Sequence, residues 1–493
     1  MARVVVVGAG IAGLAAAARL ADFGHAVTVL EQAASVGGQV GAYSRDGFSF
    51  DTGPTTLTLP AVYRDLFRAT GRPLERELDL VPVEPARHVR FADGVELDLP
   101  NASRAGTLRA LDRAFGPGSA AQWDAVLRHG ERIWRAARRH TVESTRTDGL
   151  GRLRALGAGR SLRASAERSL ADAGLRTLLE GHAVHAGLDP RQASDVLTVV
   201  PYVEHTFGMW YVPGGMRRLV EAVAERAAIR GARIRTSAGV VQVLVTDGRA
   251  TGARLAGGEI VPADLVVTGA HAAQVYAGLL GPSVARRERR WSARSVAPPS
   301  SFTILLALRG RTPSVRHRTV LVPDDADAEL DAVFGQDARP ADDPTIYVSA
   351  PDDPAMRPAA DTEAWTVQVR APRHGPGSRG SDPLGAVDWT AGGLADRYAD
   401  RVLAALAARG MDVRGRVLWR VVRTPHDLQR VTGSPGGSTV GPSLAESHGL
   451  PRRPANRSSV RGLFLVGEST RPGGGLAFVG LSAAAVADMV GRA

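Results

Sequence analysis

The sequence predicts an α/β fold: a Rossmann-like parallel sheet assembled from discontinuous segments, joined to an α+β unit with a mixed sheet and a helical cap. Three observations predict it. Residues 1–31, MARVVVVGAGIAGLAAAARLADFGHAVTVLE, read as strand, glycine turn, helix and second strand. Residues 462–490, GLFLVGESTRPGGGLAFVGLSAAAVADMV, have the same plan at the far end. Between them, short strands and a long helical stretch interrupt the pattern. A chain of 493 residues has room for roughly two to three domains and a large core.

Val4 to Val7 form a continuous β-branched run, suited to a central parallel strand buried on both faces. Gly8, Gly10 and Gly13 follow as G-x-G-x-x-G, with Ala9, Ile11 and Ala12 between them. In such a pattern the first glycine permits a tight turn and the second lets a pyrophosphate approach the backbone. The third lets helix 11–23 pack on the strand. The helix N-terminus offers free N–H groups and a positive dipole end to phosphate. A second strand, 26–30, ends at Glu31, where a carboxylate accepts from ribose hydroxyls. Together these predict a dinucleotide site; a tight turn without a ligand is the alternative.

Beyond Glu31 and Gln32 come the glycine pair Gly37 and Gly38, then Gln39, then a turn at Gly53, Pro54 and Thr55. This text resembles the N-terminus of FAD-dependent carotenoid desaturases of the bacterial phytoene desaturase type, within the wider amine-oxidase-like flavoproteins. The resemblance implies non-covalent FAD whose phosphates and ribityl chain lie along the glycine pair. That family usually has Arg after the pair; this chain has Gln39 and so lacks the charged contact.

Residues 78–99 alternate around Asp93-Gly94, which predicts a hairpin with a type I′ turn. Residues 105–200 read as helices. Trp123, Val126, Leu127, Ile133, Trp134 and Ala137 fall at helical spacing, with Arg128, Arg132, Arg135 and Arg139 largely off that stripe. The pattern fits docking on a membrane surface, arginines towards lipid phosphates, or a helix packed on its own domain with solvated arginines. Residues 208–271 return to the nucleotide unit with a glycine turn, a helix, a strand at 234–236, and a meander turning at Asp247-Gly248 and Gly257-Gly258. In the resembled family the backbone at the Val240 position contacts adenine. The family's Asn-Ala-Asp after the final strand is Gly269-Ala270-His271 here, and His271 reads as structural. Strands at 301–308 and 364–372, a flexible loop at 371–385, and family-like text at 424–441 complete the middle.

The closing motif should re-enter the first sheet through residues 463–466. Gly467-Glu468 begins its turn, Gly473, Gly474 and Gly475 let backbone approach a planar ring, and a helix starts at Leu476. That helix dipole would stabilise negative charge on a reduced flavin, and the resemblance implies that Glu468 accepts from the ribityl chain. Both ends of the chain then meet on one cofactor. The expected FAD-binding domain is 1–75, 206–285 and 420–493. The expected substrate-binding domain is 76–205 and 286–419, with 105–200 as its candidate membrane-facing region.

All 61 basic residues are arginine and face 50 acids, a formal charge of +11 that favours anionic partners. Aromatics are only 5%, with no zinc spacing, RNA-binding sheet motif or helix-turn-helix pattern, which argues against nucleic acid. No metal site is predicted. The absence of cysteine rules out disulfides, a thiolate nucleophile, an iron-sulfur cluster and a cysteine-linked flavin, and fits a cytoplasmic location. The apolar start runs straight into the glycine motif, leaving no room for a cleavable signal, and no uncharged apolar run reaches the ~18–20 residues of a span. Membrane contact would be peripheral, at the inner face.

The resemblance implies hydride removal from an allylic carbon of a long apolar polyene, loss of a neighbouring proton, and reoxidation by quinone or oxygen. No second G-x-G-x-x-G marks a domain for NADPH. The sequence marks no catalytic acid–base pair; His182, His185 and His205 are proton-acceptor candidates that read as structural. Rival readings on the same fold are a flavin oxidase of an amine, protoporphyrinogen or a polyketide-type polyene, and a non-enzymatic prenyl-lipid binder. Amine oxidases commonly place a lysine near flavin N5, and this chain has no lysine. The text at 181–216 and 467–482 is closer to enzymes of later, substituted carotenoids, such as the hydroxyneurosporene type.

Overall fold

The computed structural model describes residues 1–143, 159–295, 297–376, 384–439, 441 and 453–493. Parts of the predicted helical stretch (144–158), of the loop at 371–385 (377–383) and of the 424–441 segment (440) lie outside the described residues, as do the side chains of Ala137 and Arg139.

A five-stranded parallel sheet runs in the order Arg233–Arg235, Ala26–Leu30, Arg3–Val7, Leu265–Thr268, Leu463–Leu465. Val5 registers with Thr28 on one side and Val266 on the other, and Val266 in turn faces Leu463. One strand therefore separates the two ends of the chain. Val4, Val5 and Val6 are fully buried, as β-branched residues of a central strand covered on both faces should be. Helices Ile11–Asp22, Arg217–Ile229 and Leu476–Val490 cover one face. The meander Val240–Thr246, Arg249–Leu255, Ile260–Pro262 covers the other. The first and last helices pack on each other within an alanine-rich core, with Ala16 to Ala18 of one and Ala483 and Ala487 of the other all buried, and such small side chains allow a close approach.

A second, seven-stranded sheet has the order Val417–Arg423, Ser300–Arg309, Thr362–Ala371, Ile346–Ser349, Arg318–Leu321, Arg87–Arg90, Glu96–Leu99. Its pairs are antiparallel except Arg318–Leu321 with Arg87–Arg90. Helix Leu394–Ala408 packs on one side. Helices Arg104–Phe115, Ser119–Glu143, Leu162–Ser169, Ala173–His185 and Val199–Phe207 form the cap.

The stripe on Ser119–Glu143 is turned inward. Trp123, Val126, Leu127 and Ile133 are buried, and Trp134 lies 5.6 Å from the ring of Phe207, while Arg128, Arg132 and Arg135 are exposed. This is the packed-helix arrangement, because the apolar face already has a partner within the chain. No helix among the described residues is long and apolar enough to cross a membrane.

The hairpin between Arg87–Arg90 and Glu96–Leu99 is present, but its turn is not type I′. Gly94 has φ +89° while Asp93 stays at negative φ; Gly94 N–H donates to Phe91 O (3.1 Å) and Phe91 N–H to Val95 O (2.9 Å). The extra residue makes a three-residue loop with a glycine bulge, for which only one positive φ is needed. The Asp247-Gly248 turn does have positive φ at both positions.

Candidate functional site

The opening loop is shaped by contact at one glycine and open space at another. A Cβ on Gly13 would lie 2.1 Å from the Gly8 carbonyl oxygen, so only glycine lets helix Ile11–Asp22 sit this close to the turn. A Cβ on Gly10 would meet nothing within 4 Å, leaving room in front of the helix start, where no side chain caps the free N–H groups. Gly37 N–H donates to Ala9 O (3.0 Å) and Gly38 packs on Gly10, which brings the glycine pair onto this loop.

Glu31 is buried, with carboxylate oxygens accepting from Ala9 N–H (2.7 Å) and Ala33 N–H (2.8 Å). It ties the turn to the end of the second strand, a role the spacing alone did not indicate. A carboxylate has about four acceptor sites, so capacity for ribose hydroxyls remains. Ala238 N–H donates to Glu31 O (2.7 Å) and Ser237 N–H to Ala33 O (2.9 Å), which brings Val240 beside Glu31 and Gln32. The Gly53 turn, with Pro54 and Thr55, packs on Gln39, whose carbonyl would lie 1.9 Å from a Cβ at Gly53.

At the other end, Gly467 backs onto Ala12 and Gly269, so the first and last turns touch. Helix Leu476–Val490 starts at Gly475, directly after Gly474, again without a side-chain cap. Its turn is held by residues that the sequence reading did not single out. Asn456 donates to Leu465 O (3.1 Å), Arg471 O (2.9 Å) and Ser482 Oγ (2.9 Å). Ser482 Oγ also accepts from Gly467 N–H (3.2 Å), and Tyr63 OH donates to Leu476 O (2.8 Å). Gln39 Nε2 donates to Glu468 Oε1 (2.7 Å), joining the glycine-pair segment to the closing motif. Burial pushes Glu468 up to about 7, opposed by this amide and by Arg453. His271 Nδ1 accepts from Ala273 N–H (3.3 Å), and burial lowers it to about 4; it is a neutral helix cap.

These residues fit a bound flavin dinucleotide. Two helix N-termini with no side-chain caps converge at the edge of one sheet, and such orphan donors call for an anionic or hydrogen-bond-accepting partner.

The space between the second sheet and the helical cap is unexpectedly polar. Arg87 Nη2 makes two 3.1 Å bonds to Glu204. Although burial alone would raise Glu204, Arg87 and the neighbouring cations hold it at about 2. His182 lies 3.9 Å from Glu204, and burial lowers it to about 3. His205 is held on both nitrogens, by Thr107 Oγ1 (3.3 Å) and Trp123 Nε1 (3.5 Å), and is structural. The His185 ring stands 4.8 Å from that of Tyr347, with Nδ1 unpartnered and its pKa driven far down by burial. Of the three histidines, His185 alone keeps a ring nitrogen buried without a partner.

The family model for flavin containing amine oxidoreductases matches residues 11–359. The 4,4'-diapolycopene oxygenase of Methylomonas sp is 31% identical, covering 99% of this chain and 98% of that protein. The zeta-carotene-forming phytoene desaturase of Myxococcus xanthus is 32% identical, covering 99% and 93%. A redesigned putrescine oxidase shares the fold, with a TM-score of 0.67 at 15% identity over 99% of this chain and 98% of that one. With its two termini converging on one uncapped, glycine-floored cleft and this full-length similarity, the chain belongs to the flavin-containing amine oxidoreductases and, among them, to the phytoene-type carotenoid desaturase family.

Proposed function

We propose that this protein is an FAD-dependent desaturase of a long apolar polyene. The observation that carries the reading is similarity across 99% of the chain to two carotenoid-modifying enzymes. In it, residues 1–75, 206–285 and 420–493 bind FAD, and 76–205 and 286–419 bind substrate. Gly8 to Gly13 and the Gly37-Gly38 pair hold the pyrophosphate, and Glu31 and Val240 the adenosine. Gln39, Gly53 to Thr55 and Glu468 flank the ribityl chain, and Gly474 to Leu476 face the ring. The flavin, when bound, supplies a two-electron hydride acceptor. The chain's own task is to hold the polyene against it and keep water out. None of the three histidines is a good base here, since burial holds His182 at about 3, His205 at about 4 and His185 well below the usual imidazole value.

Attachment is non-covalent in this reading, and the absence of cysteine excludes a thioether link. Electrons leave to a quinone or to oxygen. A peripheral membrane contact falls to helix Arg286–Arg294 rather than to Ser119–Glu143. No residue of the former is buried, and Arg286, Arg287, Arg290 and Arg294 are exposed towards any anionic headgroups.

The test is anaerobic mixing of the holoenzyme with carotenoid hydrocarbons, amines and protoporphyrinogen. Bleaching of the flavin by the polyene alone is expected; bleaching by an amine alone overturns the reading. Heat denaturation should release FAD into the supernatant, and retention on the polypeptide would refute non-covalent binding.

A further inference from the structure

We propose that the polyene taken by this chain ends in a carboxylate, anchored inside the substrate-binding unit by Arg318, Arg370 and the Tyr347 hydroxyl. The inference rests on the desaturase reading and deepens it. Arg87, Arg318, Tyr347 and Arg370 come from four different strands of the seven-stranded sheet, and His182, His185 and Glu204 from two helices of the cap above it. They share one interior space: Arg370 Nη2 donates to His185 O, the His185 ring faces Tyr347, and Arg318 is close enough to Glu204, Tyr347 and His185 to act on them electrostatically.

The charges in that space do not balance. Glu204 pairs with Arg87. Arg370 is 4% exposed and donates only to neutral oxygens: His185 O, Ser301 Oγ (3.0 Å) and Thr439 Oγ1 (3.3 Å). Arg318 donates to Ala86 O (3.4 Å) and Met209 Sδ (2.5 Å). Neither has a carboxylate partner among the described residues. Both are desolvated strongly enough to lower their pKa values, Arg318 to about 10. A further buried acid, Glu329, is bonded by Thr345 and pushed up to about 7 by burial, so it is only partly ionised at neutral pH and makes no ion pair with either arginine. Buried guanidinium without a counter-ion is unfavourable, and an entering anion relieves it.

Donors to receive that anion are already in place. Arg370 Nε, Arg87 Nε and the Tyr347 hydroxyl are buried without a partner. Of these groups Tyr347 and Arg87, with Thr345, line a cavity whose other walls include Val89, Val320 and Leu330, so polar and apolar contacts share one space, as an amphiphilic chain requires; Arg370 adjoins it through His185, whose ring faces Tyr347. The anchor also connects to the cofactor cleft. Thr439, bonded to Arg370, is two residues from Gly441, which packs against the Glu468 carbonyl and Ser469. A fixed carboxylate would therefore set which pair of C–H bonds along the chain faces the reacting ring. The reaction balances as before: one hydride leaves to the flavin, one proton leaves the adjacent carbon, and a double bond forms between them while the carboxylate is unchanged.

The experiment titrates the anaerobic holoenzyme with an all-trans polyenoic acid, its methyl ester and a hydrocarbon of matched length. Flavin bleaching and the shift of the polyene's own absorption band are followed together. The acid should half-saturate at a concentration at least about tenfold lower than the other two, the discrimination one charge-assisted contact supplies. Arg370→Met and Tyr347→Phe should each shrink that ratio towards one at unchanged flavin content. If Arg370→Met does not fold, Tyr347→Phe still decides, since it removes only a hydroxyl that has no partner in the fold. Equal saturation by acid and ester, or an acid preference undiminished by Tyr347→Phe, overturns the anchor while leaving desaturation intact. A tight band shift with the acid, without bleaching by any polyene, upholds the anchor and refutes the desaturase reading.

Discussion

The cofactor cleft and the substrate interior meet charge in opposite ways. Around the cleft, the groups that would meet the cofactor's phosphates at one end and its ring at the other are backbone N–H donors at two uncapped helix starts, on a floor of glycine. In the substrate interior, where a hydrocarbon would need only apolar walls, Arg87, Arg318, Arg370, His182, His185 and Glu204 are gathered. Backbone dipoles are fixed by the fold and need no counter-ion of their own. Buried side-chain charges must find one, so the polar interior carries information about the ligand, whereas the cleft carries information about the cofactor.

The sharpest way to break the comparison is at the glycines. Gly13→Ala puts a methyl 2.1 Å from the Gly8 carbonyl, a backbone atom that cannot swing aside. The helix start must move, and flavin content per chain should fall more than about tenfold, with unfolding easier by about 3 kcal/mol. Gly10→Ala enters open space at φ −70°, so stability should change by under about 1 kcal/mol while flavin affinity still falls. Absorbance at the flavin band and urea unfolding of both variants check this. A Gly10→Ala protein that keeps its flavin fully would show that the phosphates lie elsewhere.

On the substrate side the corresponding break is Glu204→Gln, which leaves Arg87 and its neighbours with no anion. Removing one partner of a buried pair costs about 3 kcal/mol or more, so the thermal midpoint should fall clearly while flavin content per folded chain is unchanged. A near-neutral result would mean that water reaches this pair and that the interior is wetter than its burial indicates.

Between the two regions lies Asp51, 5% exposed, whose Oδ1 accepts from Met216 N–H (2.8 Å) at the start of helix Arg217–Ile229. Burial pushes it from 3.8 up to about 7, with nearby Asp353 adding to the rise and the backbone N–H groups of Met216 and Arg217 opposing it. The folded protein then holds a proton that the unfolded chain releases, so stability is greatest below about pH 4 for this group and falls as pH rises to about 7. Asp51→Asn should remove about 4 kcal/mol of that fall between pH 4 and pH 8 in urea unfolding. Glu329 and Glu468, also raised to about 7, keep a residual slope of the same sign.

The cleft was legible in the sequence because its determinants are local. Gly8 to Gly13, Glu31, the Gly37-Gly38 pair and Gly475 each sit beside the element they terminate, and the strands that bring them together are valine- and leucine-rich enough to announce themselves. The clamps that hold the closing turn, Asn456, Ser482 and Tyr63, were not, since an isolated Asn, Ser or Tyr reads the same whether it bonds across the fold or faces water. The substrate interior was hidden for a related reason. Thr366, Gln368 and Arg370 alternate with Trp365, Val367 and Val369, which correctly marks a two-faced strand. Period-two alternation separates the faces without saying whether the polar one meets solvent or a cavity. The Asp93-Gly94 hairpin shows a finer limit, because the same dipeptide serves a two-residue turn and a three-residue loop, and flanking side-chain packing selects between them.

The smallest expected effect concerns His271, a histidine at the cleft. His271 caps a helix of three residues, Ala272–Gln274, through a single 3.3 Å bond, and burial keeps it neutral down to about pH 4. His271→Ala should therefore cost under about 1 kcal/mol, and His271→Asn, which can accept the same N–H, should restore most of it. The flavin absorption maximum should be the same in all three proteins across pH 5 to 8. A shifted maximum in His271→Ala, with stability unchanged, would move this ring from scaffold to cofactor contact. The cleft would then share the substrate side's habit of using side chains where backbone was thought to suffice.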